Sequence, residues 1–170
     1  MKTTLLKIIF LDIDGVLNNV PFHKNFKGTF TKSTDEIDTQ SVLWLNDLIK
    51  ETDAKVVVTS TWRLGKTVEE LQKILEDKGF VGEVIGKTDS LNNGYVFRGN
   101  EILKWMKDNE QLVGYYAYYE SYVIFDDDSD MLYWQKDNFI KIDPWFGLSP
   151  NHCYKAKKIL NKSYSTLESI

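Results

Sequence analysis

The chain predicts an α/β fold, a mainly parallel five-stranded sheet with helices on both faces, from three features of its 170 residues. Short apolar runs recur without the period-two alternation of a half-exposed sheet, as strands covered on both sides require. Between them lie longer segments whose apolar residues fall at helical spacing. The two kinds of segment alternate in a βαβαβαβ rhythm, which builds a parallel sheet sandwiched between helical layers.

The elements follow in order. Leu5–Leu11 is apolar but for one lysine and reads as the first strand. Residues 19–36 are polar, with glycine and phenylalanine, and read as a short flap. Thr39–Thr52 carries Val42, Leu43, Leu45, Leu48 and Ile49 on one helical stripe. Val56–Val58 is the second strand, and Val68–Lys78 the second helix, with Gly79 as its C-cap. Val81–Gly86 is a weaker third strand, followed by a helix over Asn100–Lys107. Tyr122–Phe125 and Phe139–Ile142 supply strands four and five. After Pro144, Ser149 caps a last helix that has Pro150 at its first position. No repeat, low-complexity tract or linker interrupts the pattern, so residues 1–170 read as one domain.

Composition narrows the function classes. The single cysteine, Cys153, excludes an internal disulfide and argues against a cysteine-based zinc site, so a reducing, cytoplasmic setting is expected. The amino terminus, MKTTLLKIIFLDID, is broken by Lys7 and runs into carboxylates, so it reads as a strand and not a signal peptide. No stretch approaches the roughly 18 apolar residues of a membrane span, and neither a membrane nor an obligate protein partner is expected. A net charge of −4 gives no global attraction to nucleic acid. Among 21 basic residues only Arg63 and Arg98 are arginines, the side chain that grips phosphate bidentately.

Ligands of open α/β sheets gather beyond the carboxyl ends of the strands, so the residues after each apolar run carry the functional signal. After the first strand stand Asp12 and Asp14, with Gly15 turning the chain. Two carboxylates at the end of a buried strand are costly unless paired, hydrogen-bonded or bound to metal. After the second come Thr59, Ser60, Thr61, Trp62 and Arg63, whose hydroxyls and backbone N–H groups suit an anionic oxygen. After the fourth come Asp126, Asp127, Asp128 and Asp130, an oxygen-only set that favours magnesium or calcium. An EF-hand loop does not fit, because its glycine and glutamate positions hold Met131 and Asp137.

The segments DIDGVLN, VVVTSTWR and VIFDDDSD together resemble the haloacid dehalogenase (HAD) superfamily of aspartyl-phosphate phosphatases. RGNEILKW and DPWFGLSP make the chain similar to the small, nearly capless HAD domains of RNA-repair proteins. The resemblance implies a Rossmann-like three-layer sandwich with strand order five-four-one-two-three. It implies Asp12 as nucleophile and Asp14 as acid–base partner. Thr59, with the backbone around Ser60, would hold a phosphoryl oxygen. Arg98 would be the charge-neutralising basic residue, with Lys104 or Lys87 as alternatives. Mg2+ would be held by Asp12, the Asp14 carbonyl, Asp126 and Asp127.

On this basis the expected activity is magnesium-dependent hydrolysis of a phosphate monoester, on a nucleotide or a nucleic-acid end. The alternatives are a small-metabolite phosphatase and a non-catalytic phospho-binding or receiver-like module. Arg63 is expected to lock the motif loops through an ion pair with Asp14 or the acidic cluster, with contact to substrate as the alternative, and Trp62 to pack in the core. The tyrosine run at 115–122 reads as packing, and Lys155, Lys157, Lys158 and Lys162 as a solvated helix face.

Overall fold

The computed structural model describes residues 6–18, 37–91, 95–113 and 122–162. The expected flap over 19–36 and tyrosines 115–119 lie outside the described residues. The elements are β1 (Ile8–Leu11), α1 (Thr39–Thr52), β2 (Lys55–Val58), α2 (Val68–Glu76), β3 (Val84–Lys87), α3 (Arg98–Asp108), α4 (Glu110–Val113), β4 (Tyr122–Asp126), β5 (Phe139–Lys141) and α5 (Pro150–Leu160). Short 3-10 turns cover Thr61–Arg63 and Tyr133–Gln135.

All five strands run parallel in the order β3-β2-β1-β4-β5, the expected order read from the opposite edge. Side chains alternate across β1 and divide between two cores. Ile9 and Leu11 face the layer of α1, α2 and α5, against Val42, Leu45, Leu71 and Leu160. Ile8 and Phe10 face α3, against Ile102, Trp105 and Met106. Phe10 meets the Trp105 and Tyr122 rings edge-on, at centroid distances of 5.5 and 5.8 Å. Burial on both faces explains why β1 and β4 read as unbroken apolar runs. No helix among the described residues is long and apolar enough to cross a membrane.

The ends of elements differ from the sequence expectation for identifiable reasons. α2 stops at Glu76, short of Lys78, and Gly79 closes the following turn at φ +92° with its N–H on the Glu76 carbonyl. β3 starts at Val84 because Val81 gives its N–H to Asn46 Oδ1 on α1 instead of to the sheet. α3 starts at Arg98, two residues early. Its N-cap, Phe97, offers no side-chain acceptor, and Asp130 Oδ2 accepts the Arg98 N–H at 2.8 Å instead. A cap supplied from 32 residues away is invisible to local pattern. α1 follows the expected limits, with Asp38 as its cap, and α5 the expected start, with Ser149 as cap and Pro150 at its first position.

Candidate active site

Strand order reverses between β1 and β4: from β1 the sheet grows one way through β2 and β3, and the other way through β4 and β5. That switch point is where an open α/β sheet leaves a crevice. The register puts acidic residues there. Leu11 pairs with Val58 and Phe125, so Asp12 leaves β1 beside Asp126, the last residue of β4. The Asp12 N–H still bonds the Phe125 carbonyl at 3.0 Å, and the Thr59 N–H the Leu11 carbonyl at 2.9 Å. Asp12, Thr59 and Asp126 are therefore fixed by the sheet itself, and all three are buried.

Asp12, Asp126 and Asp127 each offer an oxygen within 4.8 Å of the others. Burial and the adjacent Asp126 carboxylate push Asp12 up to about 8, against the lowering pull of Arg98. Burial likewise raises Asp126 to about 6, with Asp127 and Asp130 adding repulsion, while the Asp128 N–H and Arg98 act the other way. Asp127 is also raised, by burial and then by Asp128. Such a cluster is short of positive charge. Asp126 Oδ2 is buried without a hydrogen-bond partner among the described residues. An all-oxygen set with an unsatisfied buried carboxylate oxygen fits a hard divalent cation.

One guanidinium reaches the cluster. Arg98, at the start of α3, stands with Nη1 4.0 Å from Asp12 Oδ1 and Nε 3.9 Å from Asp126 Oδ2. These are ion-pair distances beyond hydrogen bonding, and Nη1 is buried with no acceptor among the described residues. The Thr59 hydroxyl is likewise buried and unpartnered. A buried donor, a buried hydroxyl and a buried carboxylate oxygen without partners are what an anion-and-cation site would fill. The two alternatives to Arg98 are occupied elsewhere. Lys104 pairs with Asp89 at 2.9 Å and with Asp108, and Lys87 donates to the Arg63 and Lys66 carbonyls.

The remaining candidates divide. The Ser60 hydroxyl accepts the Trp62 N–H and so caps the 3-10 turn. Half-buried Asp14 stands outside the three-carboxylate cluster. Its Oδ1 accepts from Asn18 Nδ2 at 2.9 Å and from Trp62 Nε1 at 3.0 Å. Gly15, at φ +76°, turns the chain between them, and a Cβ there would lie 2.5 Å from Asp127 Oδ2. Arg63 does not pair with Asp14 or the acidic cluster. It is buried against Glu101 at 2.7 Å, because a fully desolvated guanidinium needs a desolvated counterion.

Sequence reasoning missed two residues, Asn18 and the indole N–H of Trp62. Trp62 does pack in the core, as expected, yet a buried indole also requires an acceptor, and the nearest strand end offered Asp14. Asp128 is exposed, and Asp130 serves as the cap of α3.

The fold and the strand-end carboxylates together define an α/β domain of the HAD type. More narrowly, the chain belongs to the family described as the HAD domain in Swiss Army Knife RNA repair proteins, whose model matches residues 8–153. Neither a curated protein nor a solved structure gives a significant match.

Proposed function

We propose that this protein is a magnesium-dependent phosphomonoester hydrolase that works through an aspartyl-phosphate on Asp12. The observation that carries this is the convergence of Asp12, Asp126 and Asp127 within 4.8 Å, with the Arg98 guanidinium 4.0 Å from Asp12. In this reading Asp126 and Asp127, with Asp12 and the Asp14 carbonyl, hold Mg2+. The ion supplies charge that screens an anionic nucleophile from an anionic substrate.

The protein's own groups do the rest. An Asp12 oxygen forms a bond to phosphorus as the ester P–O bond breaks, and Asp14 gives its proton to the departing oxygen. Water then attacks phosphorus, its proton returns to Asp14, and inorganic phosphate and free Asp12 are released. Arg98 Nη1 and the Thr59 hydroxyl, both unpartnered among the described residues, are donors available to the phosphoryl oxygens. Carbon–halogen chemistry would have no use for the acid at position 14.

The substrate we favour is a phosphate on a nucleotide or a nucleic-acid end. The family's description concerns RNA repair. Exposed aromatic side chains also stand on the segments that carry the site. Phe97 precedes Arg98, and Tyr133 follows Asp130. Trp145 and Phe146 lie between Ile142, whose N–H bonds the Asp126 carbonyl, and Leu148, whose N–H bonds the Val16 carbonyl. Aromatic faces stack bases without sequence preference. A small-metabolite phosphatase is the second reading, and the net charge of −4 favours it.

The test is phosphate release from a generic aryl phosphate. It should require magnesium and cease with EDTA. Robust turnover without metal would remove the mechanism.

A further inference from the structure

Asp14 is held by two donors that meet on a single oxygen. Trp62 Nε1 and Asn18 Nδ2 both reach Oδ1, at 3.0 and 2.9 Å, and among the described residues no donor reaches Oδ2. The orientation of the Asn18 amide is fixed independently, because its Oδ1 accepts the Gly15 N–H at 2.9 Å. An indole N–H only donates, and an amide nitrogen does not accept. Neither partner can therefore take up a proton from Asp14, and an oxygen that already accepts twice has little capacity to carry one.

We infer that Trp62 and Asn18 are positioning residues that confine the transferable proton of Asp14 to Oδ2 and aim that oxygen at the leaving group. This rests on the phosphatase reading above and adds to it the device that orients the acid. In the first half-reaction the Oδ2–H bond breaks as the ester oxygen leaves phosphorus, and that proton ends on the released alcohol. In the second, water loses a proton to Oδ2 as it bonds to phosphorus. Oδ1 keeps its two hydrogen bonds throughout, so the carboxyl group has no need to rotate between steps.

The clamp has a structural logic. Asn18 closes the turn that follows the nucleophile, since both its backbone and side-chain oxygens accept the Gly15 N–H. Trp62 comes from the 3-10 turn after β2, whose N-cap hydroxyl, Ser60, accepts its backbone N–H. One clamp arm thus comes from each of the two strand-end segments that flank the site. Positioning of this kind matters most when protonation of the leaving group limits the rate.

That dependence separates positioning from general stability. Trp62→Phe keeps an aromatic ring in the core, removes the N–H and leaves a smaller ring in a buried site. Turnover is measured on an alkyl phosphate, whose leaving group needs the proton, and on p-nitrophenyl phosphate, whose leaving group does not. The loss of kcat/KM, which reports the leaving-group step and not the shared hydrolysis of the intermediate, should be greater on the alkyl ester than on the aryl ester by at least about tenfold. Trp62→His, which restores a ring N–H, should recover part of the difference. Equal losses on both esters, with or without a change in thermal midpoint, would overturn the inference and leave the phosphatase reading standing. If Trp62→Phe does not fold, Asn18→Ala removes the other donor and is read by the same ratio. Wild-type protein that hydrolyses neither ester would overturn the phosphatase reading, and this inference with it.

Discussion

Arg63 and Glu101 form a buried ion pair at 2.7 Å, each about 4 % exposed, in which every guanidinium N–H is used. Nε donates to the Thr88 carbonyl, Nη1 to the Thr59 and Ser60 carbonyls, and Nη2 to the Asp89 carbonyl as well as to Glu101. The other Glu101 oxygen accepts the Leu91 N–H. Arg63 therefore ties the ends of β2 and β3 to α3, one turn after Arg98 enters the carboxylate cluster. The chain's two arginines have divided the work: one builds the frame and the other faces the site.

Glu101→Gln leaves the Arg63 charge buried without its counterion, and removing one partner of a buried pair costs about 3–5 kcal/mol. Urea unfolding should show a loss of that order, accompanied by weaker turnover as α3 and Arg98 shift. A loss below about 1 kcal/mol, the range of an exposed pair, would mean the pair is not structural.

Gly15→Ala and Gly65→Ala form a matched pair. Both residues sit at left-handed φ, +76° and +70°, and alanine costs about 1–2 kcal/mol there. Only at Gly15 would the new Cβ meet Asp127 Oδ2, at 2.5 Å; around a Cβ at Gly65 nothing among the described residues lies within 4 Å. Gly15→Ala should lose at least as much stability as Gly65→Ala, and only Gly15→Ala should weaken magnesium affinity, by about tenfold or more, measured by calorimetric titration. Equal affinities in the two variants would remove Asp127 from the metal site.

The raised carboxylates set a pH dependence whose sign can be worked out. Between the ordinary aspartate range and about 8, folded Asp12 holds a proton that the unfolded chain has lost, and Asp126 does the same up to about 6. The folded state then binds more protons, so metal-free stability contributed by this cluster falls as pH rises through that window. A divalent cation replaces those protons. Magnesium should therefore raise the thermal midpoint more at pH 8 than at pH 5. An equal or larger shift at pH 5 would contradict cation binding at Asp12 and Asp126.

Much of this was legible in the sequence, for physical reasons that particular residues make plain. Ile8–Leu11 and Tyr122–Asp126 are buried on both faces, so local composition alone marked them as central strands. Register then brought Asp12 to Asp126 without any further information. What was not legible depends on contacts between distant segments. Asp130 capping Arg98, Glu101 claiming Arg63 and Trp62 reaching Asp14 each join residues 32 to 48 positions apart. No local pattern encodes such a partner. Arg63 does lock the strand-end loops, but its ion-pair partner differs from the expected one for that reason: burial demanded a counterion, and the sequence offered carboxylates on every side.

The substrate reading is tested by comparing kcat/KM for a phosphorylated oligonucleotide with that for sugar phosphates at moderate salt. The oligonucleotide should win by at least tenfold, about 1.4 kcal/mol of transition-state binding. Trp145→Ala and Phe97→Ala should each erode that advantage if they stack bases, where each contact is worth about 1–3 kcal/mol. Preference for the sugar phosphates would favour the small-metabolite reading.

The central claim is that Asp12 becomes phosphorylated. Acid-quenching the wild-type enzyme during turnover of an aryl phosphate with magnesium, followed by peptide mass mapping, tests it most directly. The account predicts an alkali-labile phosphoryl group on the peptide that carries Asp12, lost in Asp12→Asn. A phosphoryl group on a peptide that lacks Asp12, or one that persists in Asp12→Asn, would contradict it.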